Sequence, residues 1–144
     1  MTSSGAAQSI VHHHISLESA RMVVAAARQK AEEIGVPAAI AVVDADGTLK
    51  AFERMDQAPL LPVRIAQQKA WTAISFGMPT HAWWEMVKDD PPLLHGIVHQ
   101  QDVVIFGGGF PILGEGEQMI GGVGVSGGNY NQDQEIAEAG LAAC

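Results

Sequence analysis

The sequence is poor in several residue types, and each shortage excludes a class of protein. Its 144 residues include one cysteine, Cys144, so a disulfide framework and a cysteine-rich metal cluster are both excluded. Lysine and arginine together number 8 against 16 aspartates and glutamates, which gives a formal net charge of -8. Nucleic acids and anionic membranes require a basic surface, so we expect neither as a partner.

Long apolar runs are also missing, and none approaches the length that spans a bilayer. The stretch Met1–Gln8 has neither the basic patch nor the apolar core of a secretory signal, so we expect a cytoplasmic protein. The 47% hydrophobic content is sufficient for a core. The length predicts a single domain over residues 1–144, in which residues 1–14 form a flexible lead-in.

Hydrophobic periodicity predicts the order helix, hairpin, helix, short helix, hairpin, helix. Ser16 is a typical N-cap, and Gly35 a typical stop, for the first helix. Thr80 is expected to cap the short third helix, whose adjacent residues Trp83 and Trp84 cannot both face one core. Because hairpins give antiparallel pairs, the predicted fold class is α+β, with one antiparallel sheet flanked by α-helices.

The second predicted hairpin is rich in glycine and spans residues 103–112 and 119–128. Within it, Gly122–Gly127 matches the dinucleotide fingerprint G-x-G-x-x-G, but a hairpin strand precedes it and no βαβ unit follows, so we reject that interpretation. The glycines could line a ligand site, for which the candidates are Gly108, Gly109, Gly127 and Gly128. They could equally serve only the packing of subunits.

Two short segments have the residue types of metal sites. His12-His13-His14 could bind a metal, although three histidines in a lead-in are more often incidental. Asp44-Ala45-Asp46-Gly47 resembles the start of a calcium loop, but the later ligands are missing and a hairpin turn explains it better.

Seven segments in order, taken together, resemble the GlcG/HbpS-like family. They are Val42–Gly47, Phe52–Ala58, Lys69–Ala73, Pro79-Thr80, Gly107–Ile112, Gly121–Gly127 and Gln132-Asp133. The resemblance implies a profilin-like antiparallel sheet flanked by helices and assembly into a homo-oligomer. Members include a haem-binding protein of a redox-sensing system, a haem-binding domain attached to cobalamin adenosyltransferases, and a protein encoded with glycolate-utilisation genes. Gln57 departs from the glycine that many members have there.

The resemblance favours an oligomeric protein that binds a small ligand, with haem or a related tetrapyrrole as the leading candidate. Haem iron accepts histidine and methionine ligands. The candidate axial ligands are His81, His95 and His99, with Met55 and Met78 as weaker ones. If their segment is helical, His95 and His99 share a face at i, i+4 and could chelate a metal ion.

The alternative is an enzyme that acts on a small oxyacid or carbonyl compound by general acid–base chemistry. Arg54 and Lys69 are candidates for binding a substrate carboxylate. The candidates for acid or base are His81, His99, Asp56 and Glu85.

Overall fold

A computed structural model describes residues 6–144, and Met1–Gly5 lie outside the described part of the chain. The elements in chain order are α1 (Leu17–Ile34), β1 (Ala39–Asp44), β2 (Leu49–Arg54), α2 (Leu60–Phe76), α3 (Thr80–Val87), α4 (Pro91–Ile97), β3 (Gly109–Leu113), a 3-10 turn (Glu115–Glu117), β4 (Met119–Ser126) and α5 (Tyr130–Leu141). Among residues 6–144, no helix is both long and apolar enough to cross a membrane.

The four strands form one sheet in the order β2-β1-β4-β3, and every neighbouring pair is antiparallel. The turn between β1 and β2 follows the expected chemistry, because Asp44 Oδ1 accepts the backbone N–H groups of Asp46 at 2.9 Å and Thr48 at 3.1 Å. The predicted α+β class, with an antiparallel sheet flanked by helices, is confirmed.

The two faces of the sheet carry side chains of different size. Ile40, Val42, Val123 and Val125 pack with α1 and α5 in the larger apolar cluster. The opposite face is lined by alanine and glycine, and α2 packs on it. Small residues let the helix axis approach the sheet closely, so this face has little room for any inserted group.

Gly122 and Gly124 of β4 lie directly beneath α2. A Cβ added at Gly122 would lie 2.8 Å from the carbonyl oxygen of Ala70, and one at Gly124 would lie 2.5 Å from the Ala70 nitrogen. The backbone of α2 occupies the space that side chains would fill. These two glycines therefore serve the packing of a helix of the same chain, rather than the subunit packing considered from the sequence.

The second hairpin is shorter than predicted, because its first strand begins at Gly109 and not at residue 103. Thr72 of α2 explains the difference. Its hydroxyl donates to the Asp102 carbonyl at 2.9 Å and accepts the Val104 N–H at 3.0 Å, which ties this segment to the helix instead of a strand. Gly108 then turns the chain with a φ of 125° before pairing with β4 begins.

Two further predictions need correction. Thr80 does not cap α3, since Pro79 is the cap residue and the Thr80 hydroxyl accepts the Gly109 N–H at 3.0 Å. His95 and His99 do not share a helix, because α4 ends at Ile97 and His99 lies in the following turn.

The adjacent tryptophans divide as predicted. Trp83 is 2% exposed and Trp84 is 48% exposed, so only the first of them contributes to the interior.

Candidate functional site

A buried ion pair lies where α2 and α5 meet at the end of the sheet. The Nζ of Lys69 is 3.0 Å from Asp133 Oδ2 and donates to the Val125 carbonyl at 2.9 Å. The two side chains are only 1% and 3% exposed. Lys69 was a candidate for binding a substrate carboxylate, but the carboxylate that it binds is the chain's own.

The second oxygen of Asp133 holds the turn that precedes α5. Oδ1 accepts the Gly128 N–H at 2.9 Å, and the carboxylate also bonds the Gly127 N–H. The Asn129 and Gln132 side chains complete a capping box. Gly127 and Gly128 therefore donate these amides to a carboxylate of the same chain.

Burial opposes the charge on both partners of this pair. It lowers the pKa of Lys69 below its ordinary value, although the attraction of Asp133 partly restores it. It raises the pKa of Asp133, although Lys69 and the Gly127 and Gly128 amides oppose the rise. The pair thus costs desolvation that its hydrogen bonds offset only in part.

Gly108 and Gly109 line this ion pair. A Cβ at Gly108 would lie 2.7 Å from Lys69 Nζ and 2.7 Å from the Val125 carbonyl oxygen. A Cβ at Gly109 would lie 2.5 Å from the Lys69 carbonyl oxygen. Both glycines are buried, so their backbone makes room for Lys69 and not for an open pocket.

His81 lies beside the loop that carries these glycines. Its ring is half-buried and meets the edge of Phe110 at 5.6 Å between centroids. The His81 Nδ1 atom is buried, and residues 6–144 provide it with no hydrogen-bond partner. Phe106, on the same loop, is 43% exposed, and its ring centroid is 5.1 Å from Lys69 Nζ. An imidazole and an exposed aromatic ring thus flank a loop anchored on a buried ion pair.

The remaining histidine and methionine candidates differ in burial. His95 and His99 are exposed on and after α4. Met55 packs against the larger apolar cluster, and its sulfur accepts the Ala38 N–H at 3.4 Å. Met78 is half-buried. Of the five proposed haem ligands, His81 has the buried nitrogen that lacks a partner within the described chain.

The charged candidates lie elsewhere on the surface. The Arg54 guanidinium donates to the Ala58 carbonyl at 2.6 Å and lines an open cleft of about 460 Å³ together with Asp56. Glu85 on α3 accepts from Lys88 Nζ at 2.8 Å. The structure brings Lys69 together with Gly108, but it places Arg54 and Glu85 on other elements.

Sequence reasoning identified Lys69 but missed its partner Asp133, which it named only within the segment Gln132-Asp133 of the family resemblance. A usable signal existed for the lysine, because Ala66, Ala70 and Ala73 place it on the apolar side of α2. A lysine among buried alanines requires a buried hydrogen-bond acceptor, but the sequence does not show which residue supplies it.

Comparison with known proteins agrees with this architecture. The corrinoid adenosyltransferase PduO of Citrobacter freundii is 39% identical over 130 residues, which are 90% of this chain and 38% of that protein. This chain therefore corresponds to well under half of that relative. The crystal structure of Klebsiella pneumoniae protein ORFY has a TM-score of 0.89 at 37% identity, with 97% of both chains covered. The crystal structure of a PduOC:heme complex has a TM-score of 0.82 at 35% identity, covering 91% of this chain and 95% of that chain.

A family model described as "Haem degrading protein HbpS-like" matches residues 15–142, which include every helix and strand of the fold. The match confirms the family resemblance that the seven sequence segments carry. Because this match covers most of the chain and the fold agrees with that of the ORFY structure, this chain belongs to the HbpS-like family.

Proposed function

We propose that this protein binds haem or a related tetrapyrrole on the surface formed by His81 and Phe106. The observation that carries the proposal is the half-buried His81 ring, whose buried Nδ1 lacks a hydrogen-bond partner in the described chain. With Nδ1 turned inward, the opposite ring nitrogen, Nε2, is the one available to iron. A similar protein, PduOC, has been crystallised as a heme complex, which supports the choice of ligand.

The residues around His81 fit a planar apolar ligand. Phe106 is 43% exposed and Tyr130 is 57% exposed, and a Cβ added at Gly107 would lie 3.1 Å from the Tyr130 carbonyl oxygen and 3.5 Å from the His81 Cβ. Aromatic rings that remain exposed beside a histidine can stack on a porphyrin face. Bound there, haem would supply an iron centre whose chemistry depends on the axial ligand and on the polarity around it.

A hemin titration of the purified full chain, followed by the Soret band, tests this proposal. We expect saturable, stoichiometric binding that His81→Ala weakens at least tenfold. His95→Ala and His99→Ala are matched controls, because both histidines are exposed and lie outside the His81 surface. Unsaturable binding that none of these variants changes would refute the haem proposal. Saturable binding that is insensitive to His81→Ala would refute only the assignment of His81 as the residue that binds the iron.

We also infer that the protein is a homo-oligomer. Leu60 and Leu61 at the start of α2 are 84% and 62% exposed, and they line an open cleft of about 700 Å³ near Trp71. Adjacent exposed leucines beside an open cleft are typical of a surface that another copy covers. Light scattering at micromolar concentration measures the mass, and a monomer with and without hemin would refute the inference.

The enzyme alternative has less support. Lys69 is fully buried and paired, so it is not free to meet a substrate, and Glu85 lies in an exposed pair with Lys88. His99 and Asp56 are exposed on separate loops. The cytoplasmic location expected from the sequence stays a prediction.

A further inference from the structure

The segment that precedes α1 runs beside the turn between β1 and β2. Ile15 anchors it, since this side chain is 1% exposed and its N–H donates to the Ile120 carbonyl at 2.8 Å. In extended chain, residues two apart project to the same side. His12 and His14 therefore both face the turn that carries Asp44 and Asp46.

Three potential metal ligands converge there. His12 Nδ1 is 3.7 Å from Asp46 Oδ1, and His14 Nε2 is 3.7 Å from Asp46 Oδ2. One ligand atom from each of the three residues lies within 4.8 Å of the other two. Ligands of a tetrahedral metal with bonds of about 2.0–2.1 Å are about 3.3 Å apart, so side-chain movements of up to about 1.5 Å would complete the site.

We propose that His12, His14 and Asp46 bind a divalent first-row transition-metal ion such as zinc or nickel. Two imidazole nitrogens and one carboxylate oxygen suit these ions better than calcium or magnesium, which prefer oxygen ligands. The proposal thus combines two segments that sequence analysis treated separately, a histidine tract considered more often incidental and a turn considered better explained as a hairpin. It is independent of haem binding, because it uses neither His81 nor the loop beside it.

Asp44 supports the proposal because its carboxylate lies beside one of the ligands. Its Oδ1 is held by the Asp46 and Thr48 amides, while its Oδ2 lies 3.9 Å from His14 Nδ1. A carboxylate on the far nitrogen of a ligating histidine fixes the ring and raises its basicity, which is common around metal sites.

The site is open to solvent on one side. The side chains of His12, His14 and Asp46 are 51%, 34% and 67% exposed. Three protein ligands leave at least one coordination position for water. We therefore expect an exchangeable ion that joins the lead-in segment to the hairpin turn.

Isothermal titration of the chelator-treated full chain with ZnCl2 and NiCl2 tests the proposal. We expect one ion per chain and at least tenfold weaker binding in His14→Ala and in Asp46→Asn. His99→Ala is the matched control, since it removes an exposed histidine from another surface. Asp46 makes no side-chain hydrogen bond to the described residues, so its replacement leaves the turn intact.

The cobalt-substituted protein gives a second readout. A tetrahedral Co²⁺ site absorbs strongly in the visible region, whereas the histidine–aspartate pairs without a bound ion do not. Equal affinity in the wild type, His14→Ala and Asp46→Asn would overturn the proposal. So would binding that His99→Ala abolishes instead.

Discussion

The ion pair between Lys69 and Asp133 allows a quantitative test of the fold's most buried polar contact. Lys69→Met removes the ammonium group but keeps an unbranched stem of similar volume. It leaves the Asp133 carboxylate almost fully buried, with only the Gly127 and Gly128 amides as partners. Breaking a buried pair by removing one partner typically costs about 3–5 kcal/mol, and we expect a loss of unfolding free energy in that range at pH 7.

The loss should shrink as the pH falls. Burial already raises the pKa of Asp133, and removal of Lys69 removes the attraction that opposes the rise. A group whose pKa is raised in the folded state stabilises it below the unfolded pKa of 3.8, and this stability is lost as the pH rises through the folded pKa. The penalty of Lys69→Met is therefore largest at neutral pH and smallest near pH 4.

Urea unfolding followed by the fluorescence of buried Trp83 measures these free energies. Lys30→Met is the matched control, since Lys30 pairs with Glu33 and Glu135 at the surface, and a change of about 0–1 kcal/mol is expected. Lys69→Met combined with Asp133→Asn should be more stable than Lys69→Met alone, because it leaves no unpaired charge. A loss below about 1 kcal/mol for Lys69→Met, or one independent of pH, would refute the reasoning.

Two further substitutions test how α2 is held. Gly124→Ala should lower the unfolding free energy by about 3 kcal/mol or prevent folding, because its Cβ would meet the α2 backbone, whereas Gly96→Ala on α4 should be neutral or raise it by up to about 1 kcal/mol. Thr72→Val keeps the shape but removes both hydrogen bonds to residues 102 and 104, so we expect a loss of about 1–3 kcal/mol by urea unfolding. Equal stability of the two glycine variants, or an unchanged Thr72→Val, would contradict these assignments.

The sequence predicts most of the fold because its local signals agree with one another. Ser16 and Gly35 mark the ends of α1, and the Asp-Gly turn sets the first hairpin. Prediction failed where a side chain distant in sequence decides the backbone. Thr72 keeps residues 102–104 out of the sheet. The Thr80 hydroxyl accepts the Gly109 N–H instead of capping its own helix. No periodicity encodes such contacts.

The candidate sites, like the fold, could be predicted from the sequence only in part. Lys69 was named as a candidate because lysine commonly binds a ligand carboxylate. The carboxylate that it contacts is Asp133, which is 64 residues away in the same chain. His12, His14 and Asp46 each looked incidental, since the sequence does not show that the lead-in lies beside the turn. Only the fold places these residues together.

The buried ion pair also connects the fold to the proposed haem surface. Lys69 comes from α2 on one face of the sheet and Asp133 from α5 on the other, so their contact clamps the two layers at the end of β4. Gly108 packs against both residues of the pair, and the loop continues directly to His81's neighbour Gly107 and to Phe106. Because a buried charge pair has few alternative arrangements, it fixes this loop more strictly than apolar packing would. The pair therefore holds the proposed haem surface in place without itself forming part of it.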